Sequence, residues 1–314
     1  MKYNFINKCT FFLFFFFIST AILSTTTLAA DADRSAACAT TGATIDIHDA
    51  NASVSDDDGC ETQPDSQVIT IHKISLCTSS PTAPTTSAII DRSMCKEYFS
   101  NDAGAVATVK KGVSNTITGT TTDIPSGTYT HALVEMGTSF SYTSTFNFSA
   151  NATDTDGNNA STTCVTKASS FTPQYNLSDV TNLAKSNITC ADQAAAPTTI
   201  VLNALYFDGS SSCTMTLDYV GTNSTVPAFL VKSDGKLAAT SCNATSANSV
   251  DRVVGFLPID VKWVQGAGHT IKIKYNNSRG AKIDWTGTNS INKINIAFFD
   301  FTITSRTPRK RSFR

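Results

Sequence analysis

A run of oxygen-bearing side chains at residues 154–158, which reads DTDGN, is spaced like part of a calcium-binding loop. An EF-hand holds calcium with oxygen ligands at fixed positions of a loop of about twelve residues, with a glycine near its middle and an acidic residue at each end. When Gly157 takes the glycine position, the first ligand position falls on Ala152 and the last on Thr163. Neither residue has a carboxylate, so we interpret the segment as a surface turn, in which Asp, Gly and Asn are common.

A second acidic cluster, at residues 56–58 and Glu61, offers carboxylates to a hard cation. Short runs of like charge are more often solvated than bound to a metal. Because the run lies between Cys38 and Cys60, we expect an acidic loop held by a disulfide. We predict no metal site in the chain.

The four histidines are scattered and show neither H-x-H nor H-E-x-x-H spacing. The sequence also lacks a G-x-S-x-G elbow and a Walker loop. A Ser-His-Asp triad would have to be assembled from distant residues in a chain that is rich in serine. We therefore predict a non-enzymatic protein with no catalytic residues and no cofactor. A secreted hydrolase is the open alternative, because only a fold reveals whether two carboxylates face each other across a substrate.

Residues 1–30 have the three-part pattern of a secretory signal peptide. Lys2 and Lys8 precede an apolar run at residues 11–18, and small residues at 27–30 end the segment. The run is shorter than the roughly 20 residues that span a bilayer, and an uncleaved membrane anchor is the alternative. We expect cleavage near Ala29 or Ala30, export to the periplasm, cell surface or extracellular space, and no transmembrane span after cleavage.

The composition favours an extracellular all-β protein. Charged residues make up 16% of the chain and the net charge is −1, so no overall charge attracts nucleic acid. Serine and threonine are abundant, and short runs of β-branched and aromatic residues are separated by Gly, Pro, Asn, Asp and Ser. Such punctuation of short apolar runs is typical of all-β folds.

The cysteines that follow the signal peptide are even in number, which indicates disulfides in an exported chain. No C-x-x-C pair points to zinc or redox chemistry. The alternative is a set of free buried thiols. Four bridges allow about a hundred pairings, but short loops cost least to close, so we predict that neighbours pair. The predicted pairs are Cys38 with Cys60, Cys77 with Cys95, Cys164 with Cys190, and Cys213 with Cys242.

Two segments of the first half give the clearest strand patterns. Residues 68–76 read VITIHKISL, and their apolar phase changes at His72 and Lys73. A β-bulge there would restore the inward face. Residues 124–136 open with a turn at Pro125 and Gly127, where glycine would take a positive φ, and continue as a strand over residues 128–136.

An aromatic face follows at residues 140–148. Its even positions carry aromatic rings and its odd positions are polar. The alternation predicts a half-buried strand, with an exposed aromatic ladder for sugar stacking as the alternative. The aromatic residues are Phe140, Tyr142, Phe146 and Phe148. Residues 151–163 are polar, and we expect a loop there.

We predict two disulfide-linked antiparallel β-sandwich domains, over residues 31–165 and 172–305, and a basic tail at 306–314. A short helix is expected at residues 175–185.

Weaker strands of the first half are expected at residues 43–48, 106–109 and 116–118, and those of the second half at 199–207, 213–220, 228–231, 252–263, 269–275, 283–285 and 291–304. The last strand changes phase at Phe298 and Phe299, which predicts a second bulge. We interpret the tail as a solvated terminus, with contact to anionic lipid, lipopolysaccharide or another envelope polymer as the alternative.

The segments VITIHKISLC, at residues 68–77, and IPSGTYTHALVEM, at residues 124–136, together resemble exported bacterial families of unknown function. In those families an LPxGxY turn leads into a central strand of an immunoglobulin-like or prealbumin-like β-sandwich. The resemblance covers residues 68–148. It implies a sandwich fold and an envelope or surface location, and it carries over no catalytic residue.

These observations favour an exported, non-enzymatic envelope or extracellular protein with a structural, adhesive or assembly role. The expected partners are other envelope proteins, further copies of the chain itself, or glycans, and not nucleic acid. A carbohydrate- or ligand-binding module is the alternative function. The candidate contact residues of such a module are Tyr275, Trp263 and Trp285.

Overall fold

The computed structural model describes residues 37–47, 59–154, 159–171, 187–201, 214–218, 225–239, 250–287, 289–296 and 300–306. The predicted signal peptide, the helix at 175–185, the bulge at Phe298, and residues 307–314 of the tail lie outside these ranges. The described residues form β-strands, turns and loops and contain no helix, so the prediction of an all-β protein is confirmed. In this part of the chain, no helix is long and apolar enough to cross a membrane.

The strands follow one another along the chain as β1 to β20. Their bounds are β1 Thr40–Thr41, β2 Thr44–Ile45, β3 Gly59–Thr62, β4 Ser66–Cys77, β5 Cys95–Lys110, β6 Thr120–Thr121, β7 Gly127–Met136, β8 Ser139–Thr143, β9 Thr145–Asp154, β10 Ala160–Thr166, β11 Ser169–Phe171, β12 Ile188–Thr189, β13 Thr198–Val201, β14 Thr214–Asp218, β15 Thr225–Val231, β16 Arg252–Trp263, β17 Thr270–Asn276, β18 Ala281–Gly287, β19 Ser290–Ile296 and β20 Asp300–Arg306.

The strands form two large sheets and a two-stranded ribbon. One sheet runs β1-β2-β9-β19-β18-β3, with β10 on β9 and β12 on β10. The other runs β11-β13-β8-β4-β7-β16-β15-β14, with β5 on β4 and β6 on β5, while β17 pairs with β20. Each large sheet takes strands from both sides of the predicted boundary at residues 165–172, and residues Ser35–Arg314 cluster as one compact unit.

The two large sheets contribute to one hydrophobic cluster. Leu76 and Val254 come from the second sheet, and Phe146 and Ile283 from the first, and all four are buried. Burial of apolar side chains is the main favourable term in folding, at about 25 cal/mol for each Å² removed from water. The shared core therefore ties the two sheets together.

A buried polar link also joins the two sheets. The hydroxyl of Tyr142 in β8 donates to the carbonyl oxygen of Ile294 in β19, and the side-chain nitrogen of Asn187 donates to the same oxygen. Ile294 N in turn donates to Asn187 Oδ1 at 3.2 Å. Burial, and then the charge of Asp284, raise the pKa of Tyr142 well above its ordinary value, so its hydroxyl keeps its proton.

The predicted bulge in β4 is confirmed, because the register shifts between Ile71 and Lys73 in the pairings with both β5 and β7. The shift brings Ile71 and Ile74 to the core together, although they differ in phase. In the pairing with β7, His72 is the extra residue, and it is buried as well.

Two glycines leave room for this bulge. Gly104 of β5 has a φ of 87°, and a Cβ there would lie 2.3 Å from Thr70 Cγ2 and 2.8 Å from His72 Cε1. On the other side of β4, Gly137 joins β7 to β8, and its N–H donates to the carbonyl oxygen of Thr70 at 2.9 Å. The backbones beside the bulge thus approach the strand at positions without side chains.

The turn before β7 is fixed by a tyrosine rather than by a left-handed glycine. The ring of Tyr129 is buried, and its hydroxyl donates to the carbonyl oxygen of Pro125 at 2.8 Å. The prediction of a positive φ at Gly127 is wrong, because Gly127 is already the first residue of the strand and pairs with Trp263. The spacing P-x-G-x-Y places the tyrosine where its hydroxyl reaches back over the turn.

The aromatic face at residues 140–148 is buried, as predicted, which removes the alternative of an exposed ladder. The structure divides this segment at Ser144 into β8 and β9, which belong to different sheets. The loop predicted from residue 151 is shorter than expected, because β9 continues to Asp154 and β10 begins at Ala160. Cross-strand pairing of β9 with β10 overrides the polar composition there.

Three disulfides join Cys38 to Cys60, Cys77 to Cys95, and Cys164 to Cys190. These are neighbour pairs of the kind predicted from the sequence, whereas Cys213 and Cys242 lie outside the described residues. The second bridge links the last residue of β4 to the first residue of β5, which also face each other in the ladder. It closes the loop at residues 78–94.

The glycine opposite the bulge gives a stability test. Gly104→Ala is expected to lower the free energy of unfolding by about 3 kcal/mol, since it combines a strained positive φ with a clash against Thr70 and His72. Gly112→Ala is the matched control, because Gly112 has a φ of 72° but open space around its Cβ position. Its expected cost is about 1 kcal/mol from backbone strain alone. Urea unfolding followed by circular dichroism measures both, and equal losses would contradict the close packing at Gly104.

Candidate functional site

A cleft of about 360 Å³ opens beside the bulge of β4. One wall is the bulge itself with the neighbouring Glu135 of β7. The disulfide-closed loop at residues 78–94 forms a second wall, and the turn at residues 231–237 with the start of β16 forms a third. Segments that are far apart in the sequence therefore meet at this cleft.

Backbone contacts hold the loop against the turn. Leu237 N donates to the carbonyl oxygen of Thr85 at 3.0 Å, and Ile89 forms an isolated β-bridge with Lys236. The turn is closed by Gly235, which has a φ of 79° and donates its N–H to the carbonyl oxygen of Lys232 at 2.9 Å. Two walls of the cleft are thus fixed by main-chain hydrogen bonds, which do not depend on side-chain conformation.

Charged side chains of both signs line the cleft. The cations are Lys73, Arg92, Lys232 and Arg252, and the anions are Asp102, Glu135, Asp234 and Asp251. The lining charges therefore balance, which favours a ligand that is polar and carries little net charge of its own.

One ion pair is structural. Arg92 of the disulfide-closed loop pairs through Nη1 with Oε1 of Glu135, whose side chain is only 10% exposed. Removing one partner of such a pair leaves a charge in a poorly solvated place, which is costly. The pair fastens the loop to β7 at the floor of the cleft. The pair of Arg252 with Asp251, at 2.7 Å, is more exposed and contributes less to stability.

His72 lies in this cleft as a neutral side chain. Its Nδ1 is 3.3 Å from the carbonyl oxygen of Asp102, so the neutral ring donates from Nδ1 and leaves Nε2 as an acceptor. Burial lowers the pKa of His72, and the positive charge of Arg252 lowers it further. The carbonyl groups of Asp102 and Asn101 and the charge of Asp251 act in the opposite direction but do not cancel this effect.

The structure places the three predicted contact residues away from the cleft. Trp263 and Trp285 are buried core residues, so their rings offer no surface to a ligand. Trp263 donates from Nε1 to Asp123 Oδ1 at 3.1 Å, and Trp285 packs edge-on against Phe148. The hydroxyl of Tyr275 donates to Gln67 Oε1 at 3.0 Å, and burial raises its pKa well above the ordinary value. Packing and internal hydrogen bonds account for all three residues.

Among the side chains that the structure describes, no group of three or more His, Cys, Asp and Glu residues is placed to hold a metal ion. In particular, Glu61 is buried and forms an ion pair with Arg279 at 2.7 Å. Asp154, the first residue of the DTDGN segment, is buried and accepts hydrogen bonds from Thr189 and Cys190. Residues 155–158 lie outside the described ranges.

The sequence indicated only one feature of this cleft, the bulge at His72. Arg92, Glu135 and Arg252 carry no local motif, and they meet because β4 pairs with β7 and β7 pairs with β16. Such pairings join distant parts of the chain and leave no periodic signal in the sequence.

The chain matches no protein-family model, no curated protein and no solved structure.

The pKa of His72 tests the electrostatics of the cleft. We expect His72 to titrate below the ordinary value near 6.5, and Arg252→Gln to raise its pKa, since a nearby positive charge is removed while burial remains. Because the folded-state pKa is lowered, the folded protein loses stability as the pH falls below about 6.5, and Arg252→Gln should reduce that loss. Arg306→Gln, outside the cleft, should leave the His72 pKa unchanged.

Imidazole NMR signals followed from pH 4.5 to 8 measure His72 separately from His131, whose pKa is also lowered by burial. A His72 pKa that stays the same or falls in Arg252→Gln would contradict the assigned charge effect.

Proposed function

We propose that this chain is an exported, non-enzymatic envelope or extracellular protein with an adhesive role, and that the cleft beside His72 binds a small zwitterionic ligand. The observation that carries the proposal is the cleft with its balanced charges. Its volume falls within the range of about 300–1,000 Å³ that small-molecule sites occupy. Three disulfides and the predicted signal peptide support export, because disulfides persist in oxidising compartments.

Two lining residues define the polarity of the ligand. Among the described side chains, the Lys232 ammonium and the Asp102 carboxylate belong to none of the ion pairs, whereas Arg92, Arg252 and Lys73 are paired with carboxylates. A ligand carboxylate would bind Lys232, and a ligand ammonium would bind Asp102. Free amino acids and dipeptides carry both groups.

The two large sheets also indicate a type of β-sandwich. We infer an immunoglobulin-like or prealbumin-like β-sandwich, in which the two large sheets are the layers. The shared hydrophobic cluster and the mostly antiparallel pairing support it, because two sheets that pack face to face bury one common core.

Ligand binding can be tested with a defined panel of the standard amino acids and their dipeptides, screened by thermal shift and measured by calorimetry. We expect at least one member to bind, and Lys232→Gln to weaken it about tenfold, since one charge-assisted hydrogen bond is lost. Blocking the carboxylate of that ligand as an amide should cause a similar loss, and the two losses should not add, because both remove the same contact.

Lys262→Gln is the matched control, because Lys262 is an exposed lysine of β16 outside the cleft. It should bind like the unchanged protein. The proposed ligand class is wrong if no member of the panel binds or if both lysine variants lose affinity equally.

A further inference from the structure

The two-stranded ribbon has one face that is turned away from the core. β17 and β20 pair antiparallel from Thr270 opposite Arg306 to Asn276 opposite Asp300. Ile271, Ile273 and Tyr275 of β17 are partly buried, and Ile303 of β20 is buried. Six of the alternate positions are exposed, and we call them the ribbon face. They are Thr270, Lys272, Lys274, Thr302, Thr304 and Arg306.

The ribbon face is cationic. Lys272, Lys274 and Arg306 are its charged members. None of the ion pairs between described side chains involves these three cations. Asp300, the acidic residue of β20, follows the same alternation two positions before Thr302, so one acidic residue lies at the end of this side of the ribbon. The cleft has equal numbers of cations and anions, whereas three cations and one acidic residue follow one another along this side of the ribbon.

The sequence extends this charge beyond β20. Four more basic residues follow Arg306 within the next eight positions, and no acidic residue accompanies them. They are Arg309, Lys310, Arg311 and Arg314. The net charge of the whole chain is −1, so this end of the chain is far more basic than the average. Such an asymmetry creates a local potential that attracts anions.

We propose that the ribbon face docks a linear anionic polysaccharide. Residues two apart on one strand are about 7 Å apart, so Lys272 and Lys274 present a row of charges to an extended polymer with repeating anions. The hydroxyls of Thr270 and Thr304, on the same side of the ribbon, can donate to sulfate or carboxylate oxygens and accept from sugar hydroxyls. Binding of this kind releases counterions from the polymer and weakens as salt is added.

The residue types on the face favour a polysaccharide over two other polyanions. Binding to an anionic bilayer depends in part on apolar side chains that enter the lipid, and the ribbon face has none. Binding to single-stranded nucleic acid relies on aromatic rings that stack on bases, and the aromatic residue of β17, Tyr275, lies on the other side of the ribbon.

The test uses the full chain and two immobilised probes, dextran sulfate and polygalacturonate, with neutral dextran as the blank. We expect binding at low salt that falls steeply as sodium chloride is raised. Lys272→Thr with Lys274→Thr should weaken binding about tenfold, since two contacts with the polyanion are lost. Threonine keeps the β propensity of the strand, and circular dichroism with thermal unfolding checks that the fold is unchanged.

Lys110→Thr with Lys111→Thr is the matched control. It removes the same charge from two exposed lysines at the end of β5, outside the ribbon, and binding should be kept. Equal loss in both double variants, or full binding without Lys272 and Lys274, would overturn the proposal. Capture by phosphatidylserine vesicles but not by either polysaccharide would also overturn it and would assign the face to lipid. Because none of these residues lines the cleft, the outcome is independent of the proposed zwitterion site.

Discussion

The structure depends on the β-bulge at His72 in β4. Ile71 pairs with both Ala105 and Met136, so β5 and β7 occupy opposite edges of β4. Since Val68 pairs with both Thr108 and Ser141, β8 shares the edge that β7 uses further along. β4 is therefore covered on both edges by strands, and a shift in its phase must be matched by its neighbours on both sides. Without the extra residue, one half of β4 would turn its isoleucines to solvent.

The same constraint produces the cleft. Residues 101–104 of β5 have no register partners on β4, and the carbonyl oxygen of Asp102 there receives the hydrogen bond of the buried His72. Across the bulge, Glu135 pairs with Lys73 in the ladder and holds Arg92 of the disulfide-closed loop. The bulge thus buries the polar side chain of His72 in a strand whose buried residues include Ile71 and Ile74. Bulges commonly re-aim side chains near functional sites, which agrees with a binding role for this place.

The sequence predicts features that depend on local patterns. The change of apolar phase in β4 predicted its bulge. The strand predicted at residues 252–263 has the same bounds as β16. It missed the first half of β5, because residues such as Asn101, Asp102 and Gly104 have low β propensity and are placed by pairing with β4. Burial of Trp263 and Trp285 could not be read from residue type, since a tryptophan serves equally in a core and on a binding surface. The charged cleft was missed for a related reason, because its members come from strands that meet only in the fold.

A net charge near zero conceals two different charge arrangements in this molecule. In the cleft, cations and anions are equal in number, and each ion pair partly cancels the field of its members. The site therefore discriminates by geometry and short-range hydrogen bonds. On the ribbon face, Lys272 and Lys274 lie about 7 Å apart on one strand. This spacing is shorter than the Debye length of about 8 Å at physiological salt, so the fields of the two charges add. Affinity at the first site should therefore respond to the shape of a small ligand and little to salt. Affinity at the second should respond to the charge density of a polymer and strongly to salt, which allows the two sites to act on different ligands in the same medium.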